Sequence, residues 1–221
     1  MVKSVILLSG GLDSLVSLGL TREKYGVELA LTFDYGQKSA KAEIDASEKI
    51  CKFYNVEHKV IELGFLKEIT HTSLVSDDEV PSGDGLIDSL ESAKNVWVPN
   101  RNGLFLNIAG SFADSEGYDY IIIGANKEEA QTFPDNTKEF VERVNKEFEF
   151  STRKCPKVLA PLINFDKNDI VKLALDNSIP LELVHSCYNK GGRHCGVCES
   201  CTRLKNALLY NNSTELLEKL F

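Results

Sequence analysis

The sequence predicts an α/β protein built on a doubly wound, mostly parallel five-stranded sheet. Short apolar runs alternate with segments of helical spacing over residues 1–180, and each run has the length of a strand buried on both faces. Strands separated by helices pair in parallel, because the crossover helix returns the chain to the same end of the sheet. A small helical appendage is predicted at 181–221, where four of the six cysteines fall.

Each element is predicted from its own local pattern. The predicted strands are the apolar runs at 5–8, 27–33, 56–63, 118–124 and 158–161. The helices between them are predicted from apolar residues three or four positions apart, at 15–20, 40–54, 102–116, 140–150 and 166–177. Residues 64–97 break the rhythm with acidic residues, glycines and a proline, so we interpret them as a surface excursion that is either a lid or disordered.

Composition and charge limit the class of function. The chain has 221 residues, 43% of them hydrophobic, and lacks an apolar run of the roughly 18 residues that a membrane helix needs. Its start leads directly into a strand rather than a signal peptide, so we expect a cytoplasmic protein without a membrane partner. A net charge of −8 without a lysine or arginine block disfavours direct nucleic-acid binding and favours a small, nucleotide-like substrate.

The connection between the first strand and the first helix is predicted to bind phosphate. The candidate nucleotide-binding residues there are Leu8, Ser9, Gly10, Gly11, Leu12, Asp13 and Ser14. Backbone N–H groups at a glycine turn, followed by the positive end of a helix, favour a phosphate-sized anion. Asp13 adds a carboxylate that can hold Mg²⁺ bridging phosphates of ATP. The motif lacks the lysine of a Walker loop, and the alternative is an ordinary turn in which Asp13 or Ser14 caps the helix.

The four clustered cysteines predict a metal site. Cys187, Cys195, Cys198 and Cys201 follow the spacing C-x7-C-x2-C-x2-C, and two-residue gaps let thiolates converge on one tetrahedral ion. Four protein ligands leave no open position for water, so we expect one structural Zn²⁺ per chain. An iron–sulfur cluster is the alternative, although the x3-C-P continuation of ferredoxin-type runs is missing.

Six segments of the sequence carry a resemblance to one family. They are SGGLDS at 9–14, FDYGQ at 33–37, VPNRN at 98–102, GAN at 124–126, FPD at 133–135 and the SCY…CGVC..C pattern of the tail. Together they resemble the 7-cyano-7-deazaguanine synthase family, ATP pyrophosphatases with an adenine nucleotide alpha hydrolase fold, over essentially the whole chain. The phosphate loop is shared with many relatives of that class, whereas its combination with the cysteine tail is more specific.

The resemblance implies an ATP-dependent carbon–nitrogen ligase. Such an enzyme converts 7-carboxy-7-deazaguanine and ammonia to the 7-cyano compound, a precursor of queuosine and archaeosine in modified tRNA. ATP adenylates the acid, ammonia displaces AMP to give an amide, and a second adenylation removes the amide oxygen to leave the nitrile. One adenylation site used twice therefore suffices. The resemblance also implies small-molecule substrates and a homodimer.

The resemblance further implies roles for individual residues. Arg101 is the candidate cation for a carboxylate or phosphate, since its fork suits both, or else a surface residue at a helix start. Asp135 is expected to accept hydrogen bonds from the guanine-like edge of the substrate, or else to cap the following helix. Asp13, Arg101 and Asp135 are thus the predicted catalytic residues. The further predicted nucleotide-binding residues are Asp34, Gln37 and Asn126.

The chain departs from the family pattern in the segment after the fourth strand. Glu129 replaces an aspartate, Phe133 a tyrosine, and Asn136 and Thr137 a Cys-Arg pair, while Asn100 replaces the glycine of VPGRN. These changes leave three alternatives open. They are a ligase for another heterocyclic acid, a tRNA thiolation or lysidine-type enzyme, and a zinc-stabilised nucleotide-binding module without turnover.

Overall fold

A computed structural model describes residues 2–76 and 96–221 and contains a five-stranded, fully parallel sheet. The strands are β1 (Ser4–Leu7), β2 (Val27–Asp34), β3 (Glu57–Glu62), β4 (Tyr120–Ile122) and β5 (Lys157–Leu159). Their order across the sheet is β3-β2-β1-β4-β5. This arrangement confirms the predicted doubly wound sheet, with two three-residue strands that are shorter than predicted.

Helices cover both faces of this sheet. They are α1 (Leu12–Tyr25), α2 (Ala40–Tyr54), α3 (Phe65–Ile69), α4 (Arg101–Glu116), α5 (Lys138–Ser151), α6 (Lys167–Asp176), α7 (Glu199–Tyr210) and α8 (Thr214–Leu220). Short 3-10 turns lie at Glu129–Gln131, Pro134–Asn136 and Leu181–Leu183. No helix in the described part of the chain is both long and apolar enough to cross a membrane.

The inner strands β1, β2 and β4 are largely buried on both sides because each face of the sheet packs against helices, whereas the edge strand β3 is mostly exposed. One face joins Val5, Leu29 and Phe33 to Leu106 of α4 and Phe148 of α5. The opposite face, which carries Ile6, Leu8 and Ala30, packs in a second cluster with residues of α1 and α6. Burial on both faces explains why uninterrupted hydrophobic runs predicted these strands better than an alternating pattern would.

The C-terminal residues pack on the second of these clusters. Leu204 and Leu208 of α7 lie beside Ile170 and Ala174 of α6, and Leu220 of α8 closes the same cluster. Residues 181–221 therefore share hydrophobic contacts with the sheet domain. The boundary at 180/181 stays a prediction.

The strand order creates a crevice at one edge of the sheet. β1 pairs with β2 on one side and with β4 on the other, so the chain reverses its winding direction between β1 and β4. The loops after these two strands diverge to opposite faces, which is where parallel α/β proteins bind ligands. Within the predicted excursion, α3 was not expected from the sequence. The lid or disorder predicted there falls mainly on residues 77–95, outside the described residues.

Candidate active site

A cleft of about 260 Å³ opens at the carboxyl ends of β1 and β4. Its walls come from the loop after β1, the start of α4, the segment after β4 and the start of α6. Its lining residues from the predicted phosphate loop are Leu8, Ser9, Gly11, Leu12, Asp13 and Ser14. The cleft therefore gathers segments that are far apart in sequence around the predicted anion site.

The loop 9–14 is shaped so that the start of α1 stays open. Gly11 is the N-cap residue of α1 and no side chain caps the helix, which excludes Asp13 and Ser14 as the caps considered from the sequence. Ser14 instead braces the loop: its Oγ donates to the Gly11 carbonyl at 3.1 Å and accepts from the Ser9 N–H at 3.2 Å. Uncapped N–H groups at a helix start suit a phosphate.

Gly10 lets this loop lie directly on α2. Its φ of +74° lies in the left-handed region that favours glycine. A Cβ atom at this position would lie 2.8 Å from the carbonyl oxygen of Glu43 and 2.9 Å from the Cβ of Ala46. Gly10 is absent from the cleft lining, so its contribution is the close approach of two backbones.

A buried lysine neutralises two carboxylates beside the loop. Lys167 Nζ lies 2.6 Å from Asp13 Oδ2 and 3.1 Å from Glu129 Oε1. Burial raises the pKa of Asp13, and the charge of Lys167 opposes that rise. Burial acts against the charged form of Glu129 as well, but the positive charge of Lys167 holds its pKa below the usual value. Asp13 Oδ1 is buried and has no hydrogen-bond partner among the described residues.

Arg101 lies in the cleft rather than on the outer surface. It is the first residue of α4, and its Nη1 donates to the hydroxyl of Tyr35 at 3.4 Å. Asp135 is 9% exposed and lines the same cleft. Burial raises the pKa of Asp135, and the positive charge of Arg101 works against that rise. Thr137 caps α5, so the structure excludes the capping role considered for Asp135.

An aromatic wall faces these charged groups. Trp97 and Phe133 both line the cleft, with ring centroids 5.9 Å apart and planes within 9° of parallel. Phe33 and Phe105 stack beside them with centroids 3.9 Å apart. Flat apolar surfaces next to a few polar groups are typical of sites for planar heterocycles.

Three predicted nucleotide-binding residues build the loops around the cleft and do not line it. Asp34 accepts the Gly36 N–H at 2.9 Å. Gln37 is buried, accepts the Tyr35 N–H and donates to Glu43. Asn126 is fully buried and accepts the Glu129 N–H at 3.0 Å, which places Glu129 beside Lys167.

The residues that differ from the family pattern each have a defined environment in the structure. Asn100 adopts φ +53°, a conformation that asparagine tolerates better than most residues and that glycine adopts freely. Phe133 keeps the ring of the tyrosine it replaces, and Glu129 keeps the carboxylate of the aspartate. Asn136 lines the cleft and donates to Asp135 Oδ1 at 3.2 Å, whereas the Thr137 hydroxyl is used as a helix cap.

Lys167, Tyr35 and Glu43 were not predicted as site residues, although all three line the cleft. One signal was available for Lys167. A lysine at the first residue of a helix is unfavourable beside the positive end of the helix dipole, so its presence there suggests a nearby negative charge that compensates for it. For Tyr35, the position directly after β2 at the ligand-binding edge was a weaker signal.

The four tail cysteines converge as predicted. Their Sγ atoms all lie within 4.8 Å of one another, and those of Cys195 and Cys201 are 3.9 Å apart. Four thiolates around one tetrahedral ion with bonds of about 2.3 Å would lie about 3.8 Å apart. The Cys195 N–H approaches the Cys187 sulfur at 3.4 Å, and the Cys198 N–H approaches that of Cys195 at 3.3 Å. The donor set and spacing fit a single metal ion.

The fold and the cleft define a class: a parallel α/β nucleotide-binding protein with a pyrophosphate loop of the SGGxDS type. A family model described as queuosine biosynthesis protein QueC matches residues 3–212. The chain belongs to this family.

Curated relatives agree with the family model. The chain is 49% identical to the 7-cyano-7-deazaguanine synthase of Methanosarcina mazei over 216 residues, covering 93% of both chains. It is also 49% identical to the enzyme of the same name from Carboxydothermus hydrogenoformans, covering 94% of this chain and 98% of the relative.

A solved structure with the same fold is the U34-tRNA thiolase NcsA of Methanococcus maripaludis with its [4Fe-4S] cluster. It matches with a TM-score of 0.52 and 18% identity, over 99% of this chain and 69% of that one. At this identity the likeness concerns the fold alone.

Proposed function

We propose that this chain is an ATP-dependent ligase that converts 7-carboxy-7-deazaguanine and ammonia to 7-cyano-7-deazaguanine. The observation that carries the proposal is that one cleft holds an open pyrophosphate loop, three cationic side chains (Lys167, Arg101 and Arg203) and a parallel aromatic pair. The family membership and the names of its curated relatives support the same reaction.

The first half of the reaction needs charge stabilisation at the phosphates. A carboxylate oxygen attacks the α-phosphorus of ATP, the bond to the β-phosphate oxygen breaks, and pyrophosphate leaves. We assign pyrophosphate binding to the N–H groups of the loop 9–14 and to Lys167, which stands beside them. Lys167 thus supplies the cation that the motif itself lacks.

The second half joins nitrogen to the activated carbon. Ammonia attacks the acyl carbon, and AMP leaves with one oxygen of the original carboxylate. The amide oxygen then attacks a second ATP in the same way, and loss of both N–H protons and of AMP leaves the nitrile. We assign Arg101 to the carboxylate or phosphate and Asp135 to the N–H edge of the base, because both line the cleft together with the aromatic pair and the charge of Arg101 acts on Asp135.

We assign the two metals from the donor atoms that the structure offers. Asp13 Oδ1 is a buried carboxylate oxygen without a partner among the described residues, which suits Mg²⁺ bound together with the ATP phosphates. This ion would neutralise charge that develops on the leaving pyrophosphate. The four-thiolate site suits one structural Zn²⁺. The homodimer and the cytoplasmic location stay predictions.

Product analysis tests the proposed reaction. Purified protein given the carboxy compound, ATP, Mg²⁺ and ammonium is expected to form the nitrile, identified by mass spectrometry, and to release AMP and pyrophosphate. A matched reaction without ammonium should form no nitrile. Accumulation of an amide alone, or turnover only with a different heterocyclic acid, would contradict the proposal.

A further inference from the structure

A second cavity of about 220 Å³ lies behind the pyrophosphate loop. One side is formed by α2 and the other by the segments 182–185 and 192–194 together with the end of α8. Exposed charged residues form its rim, namely Asp45, Lys49, Glu182, Arg193 and Lys219. The inner wall is buried and combines the apolar residues Ala46, Val184 and Leu220 with the imidazoles of His185 and His194. The cavity thus runs from a charged opening to an inner wall that, among the described residues, has no carboxylate, lysine or arginine side chain.

His185 separates this cavity from the active-site cleft. It lines both spaces, is 7% exposed, and its backbone N–H donates to the carbonyl of Gly10 at 2.9 Å. The ring stacks on His194 with centroids 5.2 Å apart. Both nitrogens of His194 are engaged, since Nε2 accepts from Ser186 and Nδ1 faces the Leu220 carbonyl. His185 Nε2, in contrast, is buried without a hydrogen-bond partner among the described residues.

The proposed reaction brings a third substrate, ammonia, to the cleft. The activated acid must meet ammonia and be shielded from water, which a route separate from the entry of the acid and nucleotide would serve. The rim carries three cations and two carboxylates, so it has little net attraction for ammonium. The inner wall admits neutral ammonia and rejects charged ammonium, because a charge is costly to bury without a partner.

We propose that the second cavity is the entry route for ammonia and that His185 is the partition through which ammonia reaches the cleft. This inference rests on the proposed function, because it takes ammonia as the third substrate. The nitrogens of His194 on the same wall are engaged, so the unpartnered Nε2 of His185 offers the hydrogen-bonding atom for ammonia. His185 is thus a positioning residue for the nitrogen source.

Filling the cavity tests the route. Ala42 lies half-buried on α2 and lines the second cavity but not the cleft. Ala42→Phe therefore places an aromatic ring in the second cavity. We expect the KM for ammonium to rise by about tenfold or more while the KM for ATP stays unchanged. Acid-dependent exchange of labelled pyrophosphate into ATP, which needs no ammonia, should be unaffected. Lys41→Phe, at the exposed neighbouring position, is the matched control and should leave all these values unchanged.

Removing the His185 side chain provides a second, independent measurement. His185→Ala is expected to let water reach the activated acid, so more pyrophosphate is released per nitrile formed than in the unmodified enzyme. An unchanged KM for ammonium in Ala42→Phe, or an unchanged ratio in His185→Ala, would overturn the route. If Ala42→Phe fails to fold, the ratio in His185→Ala decides. Absence of acid-dependent pyrophosphate exchange in the unmodified enzyme would instead overturn the proposed function.

Discussion

At the scale of single residues, Lys167 explains how a pyrophosphate loop without a Walker lysine gains a cation. The side chain reaches from the first residue of α6 to Asp13 and Glu129, and it is 12% exposed. Asp13 and Glu129 are both partly buried, with 18% and 33% of their side chains exposed, and would repel each other without it. Lys167 therefore links the phosphate loop after β1 to the segment after β4, and these two segments form two walls of the cleft.

Replacing this lysine tests that link. Lys167→Met should lower the rate of acid-dependent pyrophosphate exchange by about a hundredfold, because a preorganised donor to the leaving group is lost. It should also lower the free energy of unfolding, because two partly buried carboxylates lose their shared partner. Lys172→Met, at an exposed position of the same helix, is the control. A full exchange rate in folded Lys167→Met would contradict the assigned role.

The same residues show where sequence reasoning about the site reached its limit. An anion site at 9–14 could be predicted from backbone features alone, because glycine spacing and a helix start are enough to suggest one. The directions of the side chains could not be predicted. Asp34 and Gln37 lie at the end of β2 and just beyond it, at the expected edge of the sheet, yet their side chains form hydrogen bonds with neighbouring loop and helix groups. Local hydrogen bonds compete with ligand contacts, and a single sequence does not reveal which wins.

At the scale of elements, the cysteine segment connects the candidate metal site to the candidate active site. Cys187 and Cys198 are nearly fully buried, and Cys198 is the N-cap residue of α7. His185, which binds the Gly10 carbonyl, lies two residues before the first of these ligands. The short spacing of the cysteines made this site predictable, because only neighbouring residues need to converge.

Loss of one thiolate should therefore release the metal and loosen this segment. Cys198→Ser is expected to reduce bound zinc from one ion per chain to a small fraction and to lower the melting temperature, because metal binding energy is folding energy. Elemental analysis and thermal unfolding measure the two effects. Cys155→Ser, outside the cluster, is the control. One equivalent of iron in the unmodified protein, or unchanged zinc in Cys198→Ser, would contradict the assignment.

At the scale of the whole molecule, the sequence predicted the five strands and their parallel pairing from short apolar runs separated by helical segments. Only the inner strands β1, β2 and β4 are largely buried on both faces, and the edge strand β3 is mostly exposed. The order β3-β2-β1-β4-β5 did not follow from any local pattern, since it depends on which crossover passes over which face. The convergence of Lys167 with Asp13, 154 residues apart, depends on that order. Local rules thus predicted the elements, while the assembled site required the structure.

The central claim for the whole molecule is that one cleft performs two successive adenylations. The test uses the acid labelled with ¹⁸O in both carboxylate oxygens. The enzyme converts it in the presence of ATP and ammonium, and mass spectrometry measures the label in the released AMP and pyrophosphate. The proposed chemistry predicts two AMP molecules per nitrile, each carrying one ¹⁸O atom, and unlabelled pyrophosphate. Unlabelled AMP, or label in pyrophosphate, would contradict it.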